Sequence, residues 1–209
     1  MRSIFLSASV PLSKGRGDYY MTANPYLIQC AVRELVLAVI RHHKIVWGGH
    51  PSITPMIWSI CEGLGVEYSK KVTLYQSRYF DGLFPDENKR FGNVIYTDSI
   101  PEDQDASLLL MRKAMLSRDD LDAGVFIGGM EGVEAEYELF RKFHPNATVL
   151  PVAAPGGAAL LIAKQLGYSD EAQHNIDFVN LFHTHLDITK NDYTIEDHTT
   201  DSDDMKPKP

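Results

Sequence analysis

The residues best suited to chemistry lie in two glycine-rich turns. Gly48-Gly49-His50 follows the strand-like segment 44–47, and Gly128-Gly129-Met130-Glu131-Gly132 follows the strand-like segment 123–127. Glycine lets a phosphate approach the backbone because it has no β-carbon. Where such a turn opens a helix, the first N–H groups of the helix point toward an anion. Both turns are therefore predicted to bind a nucleotide-type ligand, and a plain tight turn is the structural alternative for Gly48-Gly49.

Hydroxyl and imidazole groups accompany the first turn. Ser52 and Thr54 follow it, and their hydroxyls are predicted to reach the ligand and to cap the next helix. His50 lies within the turn and is predicted to contact phosphate or to donate a proton. The first turn therefore combines backbone and side-chain donors.

Three carboxylates follow the second turn, those of Glu131, Glu134 and Glu136. Acidic residues suit a helix N-terminus because they balance its dipole, but three are more than that role requires. A carboxylate repels phosphate, so we expect at least one to act elsewhere on the ligand. It would accept hydrogen bonds from ribose hydroxyls, or stabilise an oxocarbenium-like centre while an N-glycosidic bond breaks.

Two other turns follow predicted strands. Arg78 and Asp81, with two aromatic residues between them, follow the strand 71–76, where the arginine would pair with phosphate and a ring would stack on a base. A solvated loop is the alternative. Pro155 and Gly156 follow the strand 148–152 and would add backbone N–H groups to the same site.

Strands and helices alternate along the chain. The apolar patterns predict strands over 4–10, 44–47, 71–76, 93–97, 123–127 and 148–152, and helices over 25–42, 54–64, 105–118, 133–143, 157–166 and 175–186. This order predicts an α/β, Rossmann-like three-layer sandwich, with a mostly parallel central sheet and helices on both faces. One domain is expected over 1–188, followed by an acidic tail over 189–209 that is predicted to be disordered.

These motifs resemble the SLOG superfamily, which includes LOG phosphoribohydrolases, DprA-like proteins and nucleotide-sensing domains of bacterial defence systems. The resemblance covers roughly residues 3–166 and is carried by Ser7-Ala8-Ser9, Trp47-Gly48-Gly49-His50 and the Gly128-Gly129 turn with acids behind it. It implies that Ser7, Ala8 and Ser9 also contact the ligand.

The chain departs from the LOG signature Pro-Gly-Gly-x-Gly-Thr-x-x-Glu. Ile127 replaces the proline, Val133 replaces the threonine, and one extra residue precedes Gly132. Either Glu136 or Glu134 would occupy the position of the catalytic glutamate. Two hypotheses follow: a module that binds or senses a ligand of the ADP-ribose or cyclic ADP-ribose type in defence or signalling, or a phosphoribohydrolase-like enzyme that cleaves an N-glycosidic bond.

Composition excludes several other classes. The net charge of −8 argues against a nucleic-acid surface, and no apolar run is long enough to cross a membrane, so a soluble cytoplasmic protein is expected. His183 and His185 lack a third ligand at recognisable spacing, so no metal site is predicted. There is no Walker lysine, Gly-x-Ser-x-Gly or Gly-x-Gly-x-x-Gly motif, and no cofactor is expected. The resemblance implies homo-oligomers and a possible effector protein partner.

Overall fold

The computed structural model describes residues 2–12, 18–186 and 188. Within these residues six strands, β1 to β6, span Ser3–Ser9, Lys44–Trp47, Val72–Ser77, Asn93–Thr97, Leu121–Gly128 and Thr148–Val152. Helices α1 to α8 span Tyr19–Thr22, Pro25–Val39, Thr54–Leu64, Gln104–Leu116, Glu131–Phe143, Gly157–Gln165, Asp170–Gln173 and Phe178–His185. Short 3-10 helices cover Val66–Lys71, Arg78–Phe80 and Asp86–Arg90.

The strands form one sheet in the order β4-β3-β2-β1-β5-β6. Every strand pairing in the described residues is parallel, where the sequence predicted a mostly parallel sheet. β1 lies inside the sheet and all seven of its residues are buried, as expected for a strand covered on both faces. The predicted Rossmann-like α/β fold is confirmed.

Helices cover both faces of the sheet. α2, α3 and α8 pack on one face, where Leu35, Ile57 and Phe182 belong to the same buried cluster. α4, α5 and α6 pack on the other face, where Phe140 of α5 stacks on Phe5 of β1 with ring centroids 5.8 Å apart. Parallel strands require such crossover helices, and right-handed crossovers in opposite directions place them on opposite faces.

Most differences from the predicted elements lie at helix ends. α5 begins at Glu131, two residues before the predicted start, and α2 ends at Val39, three residues before the predicted end. The four-residue helices α1 and α7 were not predicted because they are too short to show helical periodicity.

The predicted tail over 189–209 lies outside the described residues. No helix in the described part of the chain is long and apolar enough to span a membrane.

The segment after α1 packs against the turn that follows β6. The Asn24 N–H donates to the Pro155 carbonyl at 2.8 Å, and the Gly157 N–H donates to the Thr22 hydroxyl at 3.1 Å. Gly156 has φ of +79°, and a β-carbon there would lie 2.0 Å from the Thr22 carbonyl oxygen. Only glycine fits at this crossing of two backbones.

We predict that Gly156→Ala lowers the free energy of unfolding by about 2 kcal/mol or more, because a positive φ and a backbone clash act together. Gly63→Ala is the matched control: Gly63 lies in α3, and its β-carbon would meet nothing within 4 Å. This control should gain about 0.5 to 1 kcal/mol, since alanine favours a helix. Urea denaturation measures both, and equal stability of Gly156→Ala and wild type would contradict the described packing.

Candidate functional site

A cavity of about 750 Å³ lies beside the end of β1, where the order of the strands in the sheet reverses. β1 lies between β2 and β5; α2 leads from β1 toward β2, and α5 leads from β5 toward β6. Helices that leave neighbouring strands on opposite faces open a crevice at the carboxyl edge, which is where ligands of open α/β sheets bind. We term this space the switch-point cavity. Its wall is formed by the ends of β1, β2 and β3 and by α4 and α5.

Ten of the predicted site residues lie on the cavity wall. They are Ser7 to Ser9, Gly48 to His50, Met130 to Gly132, and Glu136. They come from three strand ends and one helix that are far apart in the sequence. The fold therefore brings together the two glycine turns and the end of the first strand.

Glu136 is held by two partners on the cavity wall. The Ser7 hydroxyl donates to Glu136 Oε2 at 2.5 Å, and Arg112 Nε donates to Glu136 Oε1 at 3.3 Å. The Glu136 and Arg112 side chains are 13% and 17% exposed, so the ion pair is largely withdrawn from water. A pair at this depth interacts more strongly than a surface pair, and removing one partner leaves the other charge uncompensated.

Gly132 leaves room for this pair. A β-carbon at Gly132 would lie 3.0 Å from Arg112 Nη2. Gly132 and Glu136 are four residues apart on α5 and share one face of the helix. The third glycine of the motif therefore permits close approach of the arginine, whose guanidinium lies beside the first turn of α5.

Glu134 is engaged away from the cavity wall. It accepts a hydrogen bond from the Tyr19 hydroxyl of α1 at 2.6 Å. Burial and the neighbouring Glu134 carboxylate raise the pKa of Tyr19 above its ordinary value. Of the two glutamates left open by the sequence, Glu136 is the one that lines the cavity.

Gly49 has its own steric requirement. It has φ of +70°, and a β-carbon there would lie 1.8 Å from Gln76 Nε2. Gln76 is buried at the end of β3, and its amide donates to the Gly48 carbonyl at 3.4 Å. The first glycine turn is thus shaped by a side chain of the neighbouring strand, and Gln76 joins the cavity wall.

The predicted capping role of Ser52 and Thr54 is wrong. The N-cap of α3 is Ile53, without a side-chain hydrogen bond. Ser52 Oγ instead lies 2.7 Å from His50 Nδ1 and accepts from the Val10 N–H at 3.2 Å. Thr54 Oγ1 accepts from the His50 N–H at 3.1 Å, and it is fully buried.

These contacts fold the turn around His50. Neither Ser52 nor Thr54 lies on the cavity wall, so their hydroxyls shape the first turn from behind. Burial lowers the pKa of His50 below its ordinary value, because the charged imidazolium loses solvation. Burial therefore favours the neutral form of His50 on the cavity wall.

Gly128 and Gly129 lie behind the cavity wall and tie β1 to β5. They have φ of +61° and +80°. The Gly129 N–H donates to the Ser9 carbonyl at 2.8 Å, and the Gly129 carbonyl accepts from the Ala158 N–H at 3.0 Å. The glycine pair thus directs the chain from β5 into α5, and the wall begins at Met130.

The remaining predicted residues also lie off the cavity wall. The Arg78 guanidinium lies over the Tyr96 ring, 5.1 Å from its centroid, and its Nη1 is 3.8 Å from an Asp81 carboxylate oxygen. Pro155 and Gly156 pack against the segment after α1. These two turns share the carboxyl edge of the sheet with the cavity but do not line it.

Several wall residues were not predicted as ligand contacts. Arg112 and Asp105 come from α4, and Phe84 comes from the connection between β3 and β4. Phe80 also lines the wall, and it is one of the two aromatic residues between Arg78 and Asp81 for which stacking on a base was predicted. One signal for Arg112 was available: it lies four residues after Leu108, on the apolar stripe of a predicted helix. A charged residue in such a stripe indicates a buried partner. Phe84 has no comparable signal, because its loop is irregular.

The described residues hold no group of three or more His, Cys, Asp or Glu side chains placed to bind a metal ion. The wall offers a guanidinium, carboxylates, an imidazole, a buried amide, the first turn of α5 and three aromatic side chains, those of Trp47, Phe80 and Phe84. Such a set suits a ligand that combines an aromatic base, ribose hydroxyls and phosphate.

No curated protein matches the chain. A solved structure, the X-ray structure of TM1055 from the Northeast Structural Genomics Consortium, is 14% identical and covers 78% of this chain and 81% of its own, with a TM-score of 0.46. The model of the SLOG cluster3 family matches residues 18–186, which include α4, α5 and both glycine turns. The chain belongs to the SLOG cluster3 family.

Proposed function

We propose that the protein binds a nucleotide-derived ligand of the ADP-ribose or cyclic ADP-ribose type in the switch-point cavity. Membership of a SLOG family indicates nucleotide-related binding or processing. The observation that carries the finer proposal is the Arg112–Glu136 pair on the cavity wall. It sets a guanidinium and a carboxylate side by side, as a ligand with adjoining phosphate and ribose requires.

The size of the cavity supports a nucleotide-sized ligand. Its volume of about 750 Å³ lies within the range of roughly 300 to 1,000 Å³ that is typical of small-molecule sites. Phe80 and Phe84 supply aromatic faces on the β3 side, and stacking on such a face accepts any base. We place the base there and the ribose toward Glu136.

We place the phosphate at the start of α5. The first amides of a helix have no partner within it and carry the positive end of the helix dipole. Gly132 belongs to this first turn, and Nη2 of Arg112, which extends from α4, lies next to it. A phosphate between the helix terminus and Arg112 would receive hydrogen bonds from the backbone and from the guanidinium.

A sensing role accounts for the departures from the LOG signature. Val133 takes the place of the threonine and is buried at 5% exposure, so this position supplies no hydroxyl to the ligand. A pocket that keeps its glycine turns and lacks part of the catalytic signature fits binding better than turnover. We propose that the bound state is reported by self-association or by an effector protein, in bacterial defence or signalling.

We predict that Glu136→Gln weakens ADP-ribose binding by about ten- to a hundredfold, because charge-assisted hydrogen bonds are lost and Arg112 is left unpaired. Glu134→Gln is the matched control on the same helix. It should change the dissociation constant by less than about twofold, since Glu134 faces Tyr19. Isothermal titration calorimetry measures both variants, after urea denaturation has established that each is folded.

Two results would contradict this proposal. One is an equal loss of binding in Glu134→Gln and Glu136→Gln. The other is wild-type protein that binds none of AMP, NAD, ADP-ribose and cyclic ADP-ribose.

A second function is favoured by the fixed position of Glu136: hydrolysis of an N-glycosidic bond. Water would attack the ribose anomeric carbon, the bond from that carbon to the base nitrogen would break, and the base would take up a proton. Glu136, oriented by Ser7 and Arg112, would stabilise the positive charge that develops on the ribose.

An assay of base release from AMP, in which chromatography measures the free base, tests this second function. If the protein is a hydrolase, Glu136→Gln should lower the rate by about a hundredfold or more, while Glu134→Gln stays near wild type. Release that persists in Glu136→Gln would remove the assignment of this glutamate. Saturable binding without any release of base would contradict the hydrolase function and leave binding as the function of the cavity.

A further inference from the structure

We infer that Asp105 and Glu131 make the cavity prefer a nucleotide whose phosphates end in a second ribose over a nucleotide that ends in a further phosphate. The ligand class is then a ribosylated nucleotide in which a sugar caps the phosphates. This inference rests on the proposed function, and it names two specificity-determining residues that the function itself does not require.

The balance of charge on the cavity wall is the first observation. Three carboxylates line it, those of Asp105, Glu131 and Glu136, while Arg112 is the one guanidinium or ammonium group on the wall in the described part of the chain. Arg112 is already paired with Glu136 at 3.3 Å. Burial lowers the pKa of His50 and so disfavours a positive charge on its imidazole. Two carboxylates therefore remain without a matching cation.

The positions of these two carboxylates are the second observation. Asp105 lies in the first turn of α4 and Glu131 in the first turn of α5, and both residues are exposed. Within residues 2–12, 18–186 and 188, neither takes part in an ion pair closer than 4.0 Å. Acidic groups in a first turn offset the positive end of the helix dipole. They weaken the attraction that each helix N-terminus would otherwise exert on a phosphate.

The same carboxylates suit hydroxyl groups. An ionised carboxylate only accepts hydrogen bonds, and the vicinal hydroxyls of ribose donate them. A terminal phosphate, in contrast, brings a second ionisation with a pKa near 6 and only acceptor oxygens. Capping that phosphate with ribose removes this extra charge and supplies donors. ADP-ribose therefore matches the wall better than ADP or ATP does.

Calorimetric titration with adenosine, AMP, ADP, ATP and ADP-ribose, without divalent cations and at low salt, tests this inference. We expect ADP-ribose to bind at least about fivefold more tightly than ADP, and ATP to bind more weakly than ADP, since one unit charge at close range in water changes affinity by about that factor. Glu131→Gln and Asp105→Asn should each reduce the ratio of the ADP to the ADP-ribose dissociation constant by about fivefold.

Glu138→Gln is the control. Glu138 is exposed on α5 and does not line the cavity, so this variant removes the same charge at a distance from the ligand. It should leave the ratio within about twofold of wild type.

The outcomes separate this inference from the proposed function. Affinity that rises from AMP through ADP to ATP, or a ratio that Glu131→Gln and Asp105→Asn leave unchanged, would overturn the selectivity while the nucleotide site stands. Binding of none of the five compounds would overturn both. The predicted order, with a reduced ratio in the two cavity variants and not in Glu138→Gln, supports the inference.

Discussion

The parallel pairing of β1 with β5 is the constraint on which the site depends. It places the first strand between β2 and β5, so that the helices after β1 and β5 cover opposite faces of the sheet. The Ser9 carbonyl accepts the Gly129 N–H, which fixes the two strand ends together. A β-carbon at Gly128 would lie 2.8 Å from the same carbonyl, so this junction requires glycine. The cavity is the space that opens beside this junction.

The junction of β1 and β5 also determines which polar side chains meet on the cavity wall. α5 starts at the end of β5 and brings Glu136 to Ser7 of β1, while α4 crosses the same face and brings Arg112 to Glu136. The pair is largely shielded from water, so its charges act on a ligand with little screening. The wall thus carries one ion pair and two carboxylates without a matching cation. If the proposed function holds, this balance of charge favours recognition through hydroxyl groups of the ligand.

The sequence predicted the interior strands well, because buried parallel strands form apolar runs, and glycines mark the ends of β2 and β5. The edge strand β4 was predicted too, although none of its residues is buried. Lys44–Trp47, Asn93–Thr97 and Thr148–Val152 agree with the predicted bounds residue for residue. The start of α5 was placed two residues late, since the glycines and acids of its first turn do not show apolar periodicity. Glu131 and Gly132 therefore belong to the first turn of α5 and not to the loop before it.

The composition of the cavity wall was less accessible from the sequence. Arg112 and Gln76 reach the glycine turns only through tertiary packing. The place of Arg112 on an apolar stripe indicates a buried partner but does not identify that partner as Glu136 of α5. Glu134 and Gly156 were grouped with the site because they follow strand ends, but α1 and the residues after it occupy both. Their roles depend on a short helix that periodicity does not detect.

The central claim, that the ligand lies in the switch-point cavity, is tested most directly by amide chemical-shift mapping of the ¹⁵N-labelled protein with ADP-ribose. The largest shifts should cluster at Gly48, Gly49 and Gly132, with little change at Gly156 and Gly157. Shifts that centre on Gly156 and Gly157, or that spread over the sheet without a centre at the cavity, would contradict it.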